Sequence, residues 1–345
     1  MPAVRGTGAG LSFLGCDLRS LGNLRSLRPR PPQQRLGLAH VGQVQVDFLL
    51  HRELAGAALV ASGLLDDALR TSTPSTTAPT TSSAAPPSTT VTTLEVEVEP
   101  QRPAGWPPPP TDTSPVPLGR PGPVPEGGGP HTFVAYQRDG VTPVGYDPCR
   151  PVRFVTRPGG PPEGPRLIRE AVERISAATG LRFVDEGPTD EGPSESRRAY
   201  QPERYGERWA PVLITWSNPE ESPQLARPAT GGAHVDIAGH AGSTSVGLTT
   251  VDRRTGESTE TGLVYVTGSV TLDEAVLTRV LAEPDGHARA RAIILHELAH
   301  LVGLGHVDDP AQLMHPQARP EVTELGPGDL EGLARLGTLD CFPEI

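Results

Sequence analysis

Apolar and polar positions follow regular patterns mainly in the C-terminal part of the chain. The stretch PVRFVT, which begins at Pro151, alternates apolar with polar residues and is rich in β-branched side chains, so it predicts a strand. Between Pro165 and Gly180, apolar residues recur at helical spacing. Proline suits the first turn of a helix and glycine suits its end. These patterns predict a strand followed by a helix.

Four further strands are predicted along the chain. LRFVDE begins at Leu181, VLITWS at Val212 and TSVGLTT at Thr244, and LVYVTGSVTLD spans residues 263–273. Thr271 with Glu274 three residues later is typical of a capping box, which predicts a short helix after the last strand. The order of strand, helix, several strands and helices favours a mixed sheet that carries helices, in the α+β or α/β class.

The N-terminal part has a different composition. Residues 71–131 are rich in Thr, Ser, Pro and Gly, which predicts a disordered linker, either a stalk that holds a domain away from a surface or a plain spacer. Residues 1–70 precede it and contain the apolar stretch LAGAALVASGLL at 54–65, which has the length of an export segment and is too short to span a bilayer. A single folded domain is expected over residues 132–345.

Charge narrows the possible partners. The formal net charge is −11, and every basic residue other than histidine is an arginine. An acidic chain without a basic cluster is poorly suited to nucleic acid. We therefore expect no nucleic-acid partner, and no spanning membrane segment in the domain 132–345.

Three histidines are concentrated in the string HELAHLVGLGH, which runs from His296 to His306. At about 100° per residue, His296 and His300 lie on one side of a helix and roughly 6 Å apart along it, so both rings can reach one ion. Gly303 can end the helix in the left-handed conformation and return His306 as a third ligand. Glu297 lies where its carboxylate reaches a water on the metal. An HExxH match alone occurs by chance in many proteins, but the longer string favours a metal site.

Two cysteines lie near the ends of the predicted domain, Cys149 and Cys341. A disulfide between them would hold the two ends together and would persist in an oxidising compartment. The alternative is two unrelated buried thiols. The disulfide predicts a secreted or cell-surface protein.

The string HExxHxxGxxH and the methionine of QLMHP, Met314, resemble the metzincin clan of zinc metalloendopeptidases. Because Pro316 follows that methionine by two residues, the sequence is most similar to the matrixins of this clan. The resemblance covers residues 132–345. It implies an α+β fold with a twisted mixed five-stranded sheet, an active-site helix and a C-terminal helix.

The resemblance also implies roles for individual residues. His296, His300 and His306 would bind one catalytic Zn²⁺, Glu297 would act as general base on a zinc-bound water, and Met314 would lie beneath the metal. Asp329 would hold the backbone of the methionine turn, with a helix cap as its alternative role. Cys149 could instead block the zinc as a thiolate. The strand at 246–251 would be the edge that pairs with substrate.

The predicted function is that of a monomeric zinc endopeptidase that hydrolyses peptide bonds of proteins or peptides. The alternative, from another class, is a catalytically silent zinc-binding interaction module at the cell surface. Glu297 distinguishes the two, because a binding module needs no carboxylate at the position of the water.

Overall fold

The computed structural model describes residues 42–50, 105–226, 236–251 and 258–345. The candidate export segment at 54–65 and the first part of the predicted linker lie outside the described residues. Among the described residues, no helix combines the length and the apolar character needed to cross a bilayer.

In the part of the chain that the structure describes, six strands form one mixed sheet. They are Gly42–Leu50 (β1), Val152–Thr156 (β2), Phe183–Pro188 (β3), Val212–Ser217 (β4), Asp236–Val251 (β5) and Ser258–Asp273 (β6). Their order across the sheet is β1-β5-β6-β4-β2-β3. The neighbours among β3, β2, β4 and β6 are parallel, whereas β5 is antiparallel to both β6 and β1. Strands β2 to β6 confirm the predicted five-stranded mixed sheet.

The sixth strand, β1, lies in the N-terminal region of residues 1–70. The sequence predicts a folded domain over residues 132–345, and β1 pairs with β5 of that range over its whole length. Its sequence, GQVQVDFLL, alternates polar with apolar residues through its first half, which is the pattern of a strand. A short alternating segment far from the domain in sequence was not recognised as part of its sheet.

Five helices within the described ranges complete the α+β fold, which confirms the predicted class. They are Gly164–Thr179 (α1), Pro202–Tyr205 (α2), Glu274–Leu281 (α3), Gly286–Val302 (α4) and Pro327–Leu336 (α5), with a single 3₁₀ turn at Pro223–Ala226. Asp273 caps α3, because its carboxylate accepts a hydrogen bond of 2.8 Å from the amide of Val276. The predicted capping box at Thr271 therefore starts two residues too early.

The long helices α1 and α4 pack against each other and enclose the main core. Helix α1 buries the face that carries Leu167, Ile168 and Ile175, and Gly180 ends it with φ 74°, a conformation that favours glycine. The same core cluster includes Met314 and Leu333 of α5. Burial of this apolar surface is the main force that holds α4 in place.

Residues 105–131 run along the domain, although the sequence places them in the linker. The amide of Ser114 donates to the carbonyl of Cys149 at 2.8 Å, and that of Gly122 donates to Ala177 at 2.8 Å. Near the start of the segment, the ring of Trp106 packs edge-on against Trp209 with centroids 5.4 Å apart. A proline-rich segment can still be ordered when the domain supplies partners for its backbone.

A disulfide joins Cys149 and Cys341, whose Cα atoms lie 5.5 Å apart. The bond links the loop before β2 to the end of the chain that follows α5. Neither cysteine is therefore a free thiol.

Candidate metal centre

Helix α4 carries His296 and His300 one turn apart. Their side chains are 0% and 2% exposed. The sequence predicts an apolar back face at Ile294, Leu298 and Leu301 with the histidines presented on the other side. In the structure residues 292–302 are all buried, because α1, α3, β5, β6 and α5 pack around the helix. The histidines therefore lie inside the molecule.

The turn after α4 depends on Gly303. This residue has φ 116°, and the amide of Leu304 donates back to the carbonyl of Ala299 at 2.9 Å, which closes the helix. A Cβ atom at position 303 would lie 2.8 Å from the carbonyl oxygen of Val144. Both the left-handed conformation and the lack of space require glycine here, and the turn returns the chain toward the helix.

The three imidazoles converge through their Nε2 atoms. The Nε2 atom of His306 lies 3.1 Å from Nε2 of His296 and 3.0 Å from Nε2 of His300. Two nitrogen ligands of a tetrahedral zinc ion at about 2.0–2.1 Å stand roughly 3.3 Å apart, close to these separations. The three histidines could therefore hold a metal ion.

Backbone carbonyls fix the orientation of the two helical histidines. Nδ1 of His296 donates to the carbonyl of Leu313 at 2.7 Å, and Nδ1 of His300 donates to that of Leu304 at 2.7 Å. A carbonyl only accepts, so Nδ1 carries the proton and, in the neutral ring, Nε2 keeps its lone pair. Both lone pairs can then serve a metal, and hydrogen bonds of this kind typically orient metal-binding histidines.

The surroundings also favour the neutral form of the first histidine. Burial, followed by the nearby rings of His300 and His306, holds the pKa of His296 well below its ordinary value. A neutral imidazole is the form that binds a metal ion.

Glu297 lies next to His296 on α4 and is completely buried. Strand β5 passes so close that a Cβ atom on Gly239 would lie 2.9 Å from Oε1 of Glu297. Any other residue at position 239 would displace the carboxylate or the strand. This glycine was not singled out from the sequence, where it is one of many.

Asp329 at the start of α5 holds the turn that contains Met314. Its Oδ2 accepts from the amide of Leu313 at 2.7 Å, and its Oδ1 accepts from that of Met314 at 3.4 Å. The same carboxylate accepts from the amide of Gly326 at 2.8 Å, which caps α5. Turn support and helix cap were alternatives from the sequence, and Asp329 has both contacts.

This carboxylate links the metal centre to the core. The carbonyl of Leu313, whose amide it holds, is the acceptor for His296. Burial raises the pKa of Asp329 to about 6, against the opposing effect of its backbone hydrogen bonds. Met314 is fully buried in the core, and Pro316 is half-buried beside it.

His306 lies on a loop, and a distant segment supports that loop. The hydroxyl of Thr132 donates to the carbonyl of His306 at 2.9 Å, while the carbonyl of Thr132 accepts from the amide of Gly305 at 2.9 Å. Phe133 forms an antiparallel bridge with Leu304. Thr132 gave no signal in the sequence, because a lone threonine at the edge of a linker matches no motif.

A second group with ligand-type side chains comprises Asp147, Cys149 and Cys341. Because the two cysteines form a disulfide, they offer no thiolate to a metal. Of these two groups among the described residues, the three histidines are therefore the one that could hold a metal ion.

No protein-family model matches the chain, and no curated protein sequence matches it.

Proposed function

We propose that this chain is a zinc-dependent endopeptidase of the metzincin clan, similar to the matrixins. The observation that carries the proposal is the convergence of three Nε2 atoms, two of them fixed by Nδ1–carbonyl bonds, beside the buried carboxylate of Glu297. The order β3-β2-β4-β6-β5, with β5 antiparallel at the side of Glu297, supports the same proposal.

The donor set suits zinc. Three neutral imidazoles are a frequent ligand set of catalytic zinc and leave one position for water or substrate. His296, His300 and His306 would hold the ion, which when bound supplies a Lewis acid that polarises a carbonyl and makes a water more acidic.

Glu297 would move the proton in this reaction. Its buried carboxylate can accept a proton from the attacking water and later donate it to the amine that leaves when the peptide bond breaks. Gly239 brings the backbone of β5 to this carboxylate, so a peptide paired with β5 would pass close to it. Asp329 and Thr132 act on the ligands through the backbone and are positioning residues.

We also propose a location and a substrate class. The disulfide between Cys149 and Cys341 persists outside the reducing cytoplasm, which supports a secreted or cell-surface protein. Proteins or peptides would be the substrates, because an edge strand recognises extended backbone. We expect a monomer.

Cleavage of a diverse peptide mixture by the full chain tests the proposal. The parent should cleave peptides, and Glu297→Gln, which keeps the shape of the side chain, should lose cleavage by at least about a hundredfold. Zinc content of both proteins is the control and should be equal. Equal cleavage by the parent and Glu297→Gln would exclude Glu297 as the general base.

A zinc-binding interaction module is the alternative from another class. It would bind zinc at the same three histidines and leave every peptide in the mixture intact. The buried carboxyl group beside the three histidines favours the enzyme, because so polar a group is costly to bury where it has no chemical use.

A further inference from the structure

Strand β1 precedes residues 132–345, the range that the sequence predicts for the folded domain. It pairs antiparallel with β5, from Gly42 opposite Ser245 to Leu50 opposite Asp236. Without it, β5 would be the edge of the sheet on this side, with a row of backbone groups open to another strand. The chain therefore uses its own N-terminal part to cover the β5 edge.

The covered edge is the part of β5 that lies at the metal centre. Phe48 pairs with Gly239, the residue whose position leaves room for Glu297, and Asp47 pairs with His240. Strand β1 also contacts α4, the helix that carries two of the ligands. The predicted substrate edge at 246–251 lies further along β5, in the part that pairs with β6 beyond the reach of β1.

We propose that residues 236–245 of β5 form a peptide-binding edge and that the segment Gly42–Leu50 is its built-in occupant. The segment is extended and joined to the edge through backbone pairing, as a bound peptide would be. That Gly42–Leu50 takes the place of a substrate rests on the proposed peptidase function. That it occupies the β5 edge rests on the strand pairing alone.

The covalent connection makes this occupant an effective competitor. A segment tethered to the same chain pairs with the edge in an intramolecular step, at an effective concentration that the length of the connection sets. An external peptide must therefore displace Gly42–Leu50 before it can pair with β5. The full chain should then be a slower enzyme than one whose β1 cannot pair.

Two adjacent prolines in β1 test the proposal in the full chain. Neighbouring residues of a strand point their N–H groups to opposite sides, so Gln45→Pro with Val46→Pro removes a donor toward β5 in either register. The matched control is Thr77→Pro with Ala78→Pro, which places the same change in the Thr/Ser/Pro-rich linker. Hydrogen exchange of the β5 amides is measured in both proteins, each also carrying Glu297→Gln to prevent cleavage.

The β5 amides should exchange at least about tenfold faster in the β1 variant than in the control, and a synthetic peptide GQVQVDFLL should restore their protection. Unchanged exchange in the β1 variant, or no effect of the peptide on it, would overturn the proposal. In the background that retains Glu297, the β1 variant should show kcat/KM about tenfold higher for external peptides. Restored protection without any cleavage would instead refute the peptidase function and leave the peptide-binding edge standing.

Discussion

The two parts of the metal centre are held in different ways. His296 and His300 lie on one helix that is buried on all sides. The carbonyl of Leu313 orients the first ring and that of Leu304 the second. His306 lies on a loop, and its backbone is held by Thr132, a residue far away in sequence. The spacing of the helical pair is a local property of α4, although a tertiary contact with the carbonyl of Leu313 orients the ring of His296. The third histidine depends on tertiary contacts for its position as well.

This difference determines which changes should weaken the site most. Loss of a helical ligand removes a nitrogen from the site directly. Loss of a residue that supports the loop leaves all three nitrogens present and only loosens their geometry. The expected effects therefore decrease from the ligands to the residues that hold them.

His300→Ala should have the largest effect on metal binding. If structural zinc binding of about 10–16 kcal/mol is shared by three or four ligands, removing one weakens binding by roughly a thousandfold. Competition with a chromophoric chelator measures the affinity. His315→Ala removes a half-buried histidine next to Met314. It is the control and should bind zinc like the parent. Equal affinity of His300→Ala and the parent would show that His300 is not a ligand.

Asp329→Ala should destabilise the fold strongly, because three backbone N–H groups lose their acceptor in a buried place. We expect a loss of about 3–5 kcal/mol in the free energy of unfolding, measured by denaturant titration. Asp309→Ala removes a half-buried carboxylate in the same region and should cost much less. Comparable losses in the two variants would contradict the role assigned to Asp329.

The free energy of unfolding of the metal-free protein should depend on the protonation of Asp329 between pH 4 and 6. Its folded-state pKa of about 6 lies above the ordinary value of 3.8, so the folded state keeps the proton longer than the unfolded state. The protonated Asp329 therefore adds up to about 3 kcal/mol to the free energy of unfolding. This stabilisation is fully present below pH 3.8 and is lost as the pH rises to about 6.

Asp329→Asn cannot titrate, so the difference in unfolding free energy between it and the parent should change with pH in that window. The buried histidines act in both proteins and cancel in the difference. A difference that stays constant from pH 4 to 6 would rule out the raised pKa.

Thr132→Val should have the smallest effect, and it tests the loop side of the comparison most closely. It removes one hydrogen bond to the carbonyl of His306 and should weaken zinc binding by about tenfold. The absorption bands of the Co²⁺-substituted protein should shift, which a purely structural role would not produce. Thr132→Ser should restore the parent behaviour, and Thr142→Val, which changes an exposed threonine, is the control. Identical Co²⁺ spectra of Thr132→Val and the parent would show that the loop needs no such support.

The helical part of the site could be predicted from the sequence because it depends on local spacing. The interval between His296 and His300 and the conformational need for Gly303 are properties of one helix and its end. Thr132, Gly239 and β1 could not be predicted, since their contacts form only when distant segments meet. The same reason explains the strands, where VLITWS was found whole, whereas GQVQVDFLL was assigned no place in the sheet.

Zinc K-edge X-ray absorption of the full chain, together with its zinc content, tests the central claim most directly. We predict one zinc ion per chain with three imidazole nitrogens at about 2.0–2.1 Å and one further light ligand. Absence of bound zinc, or sulfur in its first coordination shell, would contradict the assignment of His296, His300 and His306 as the metal centre.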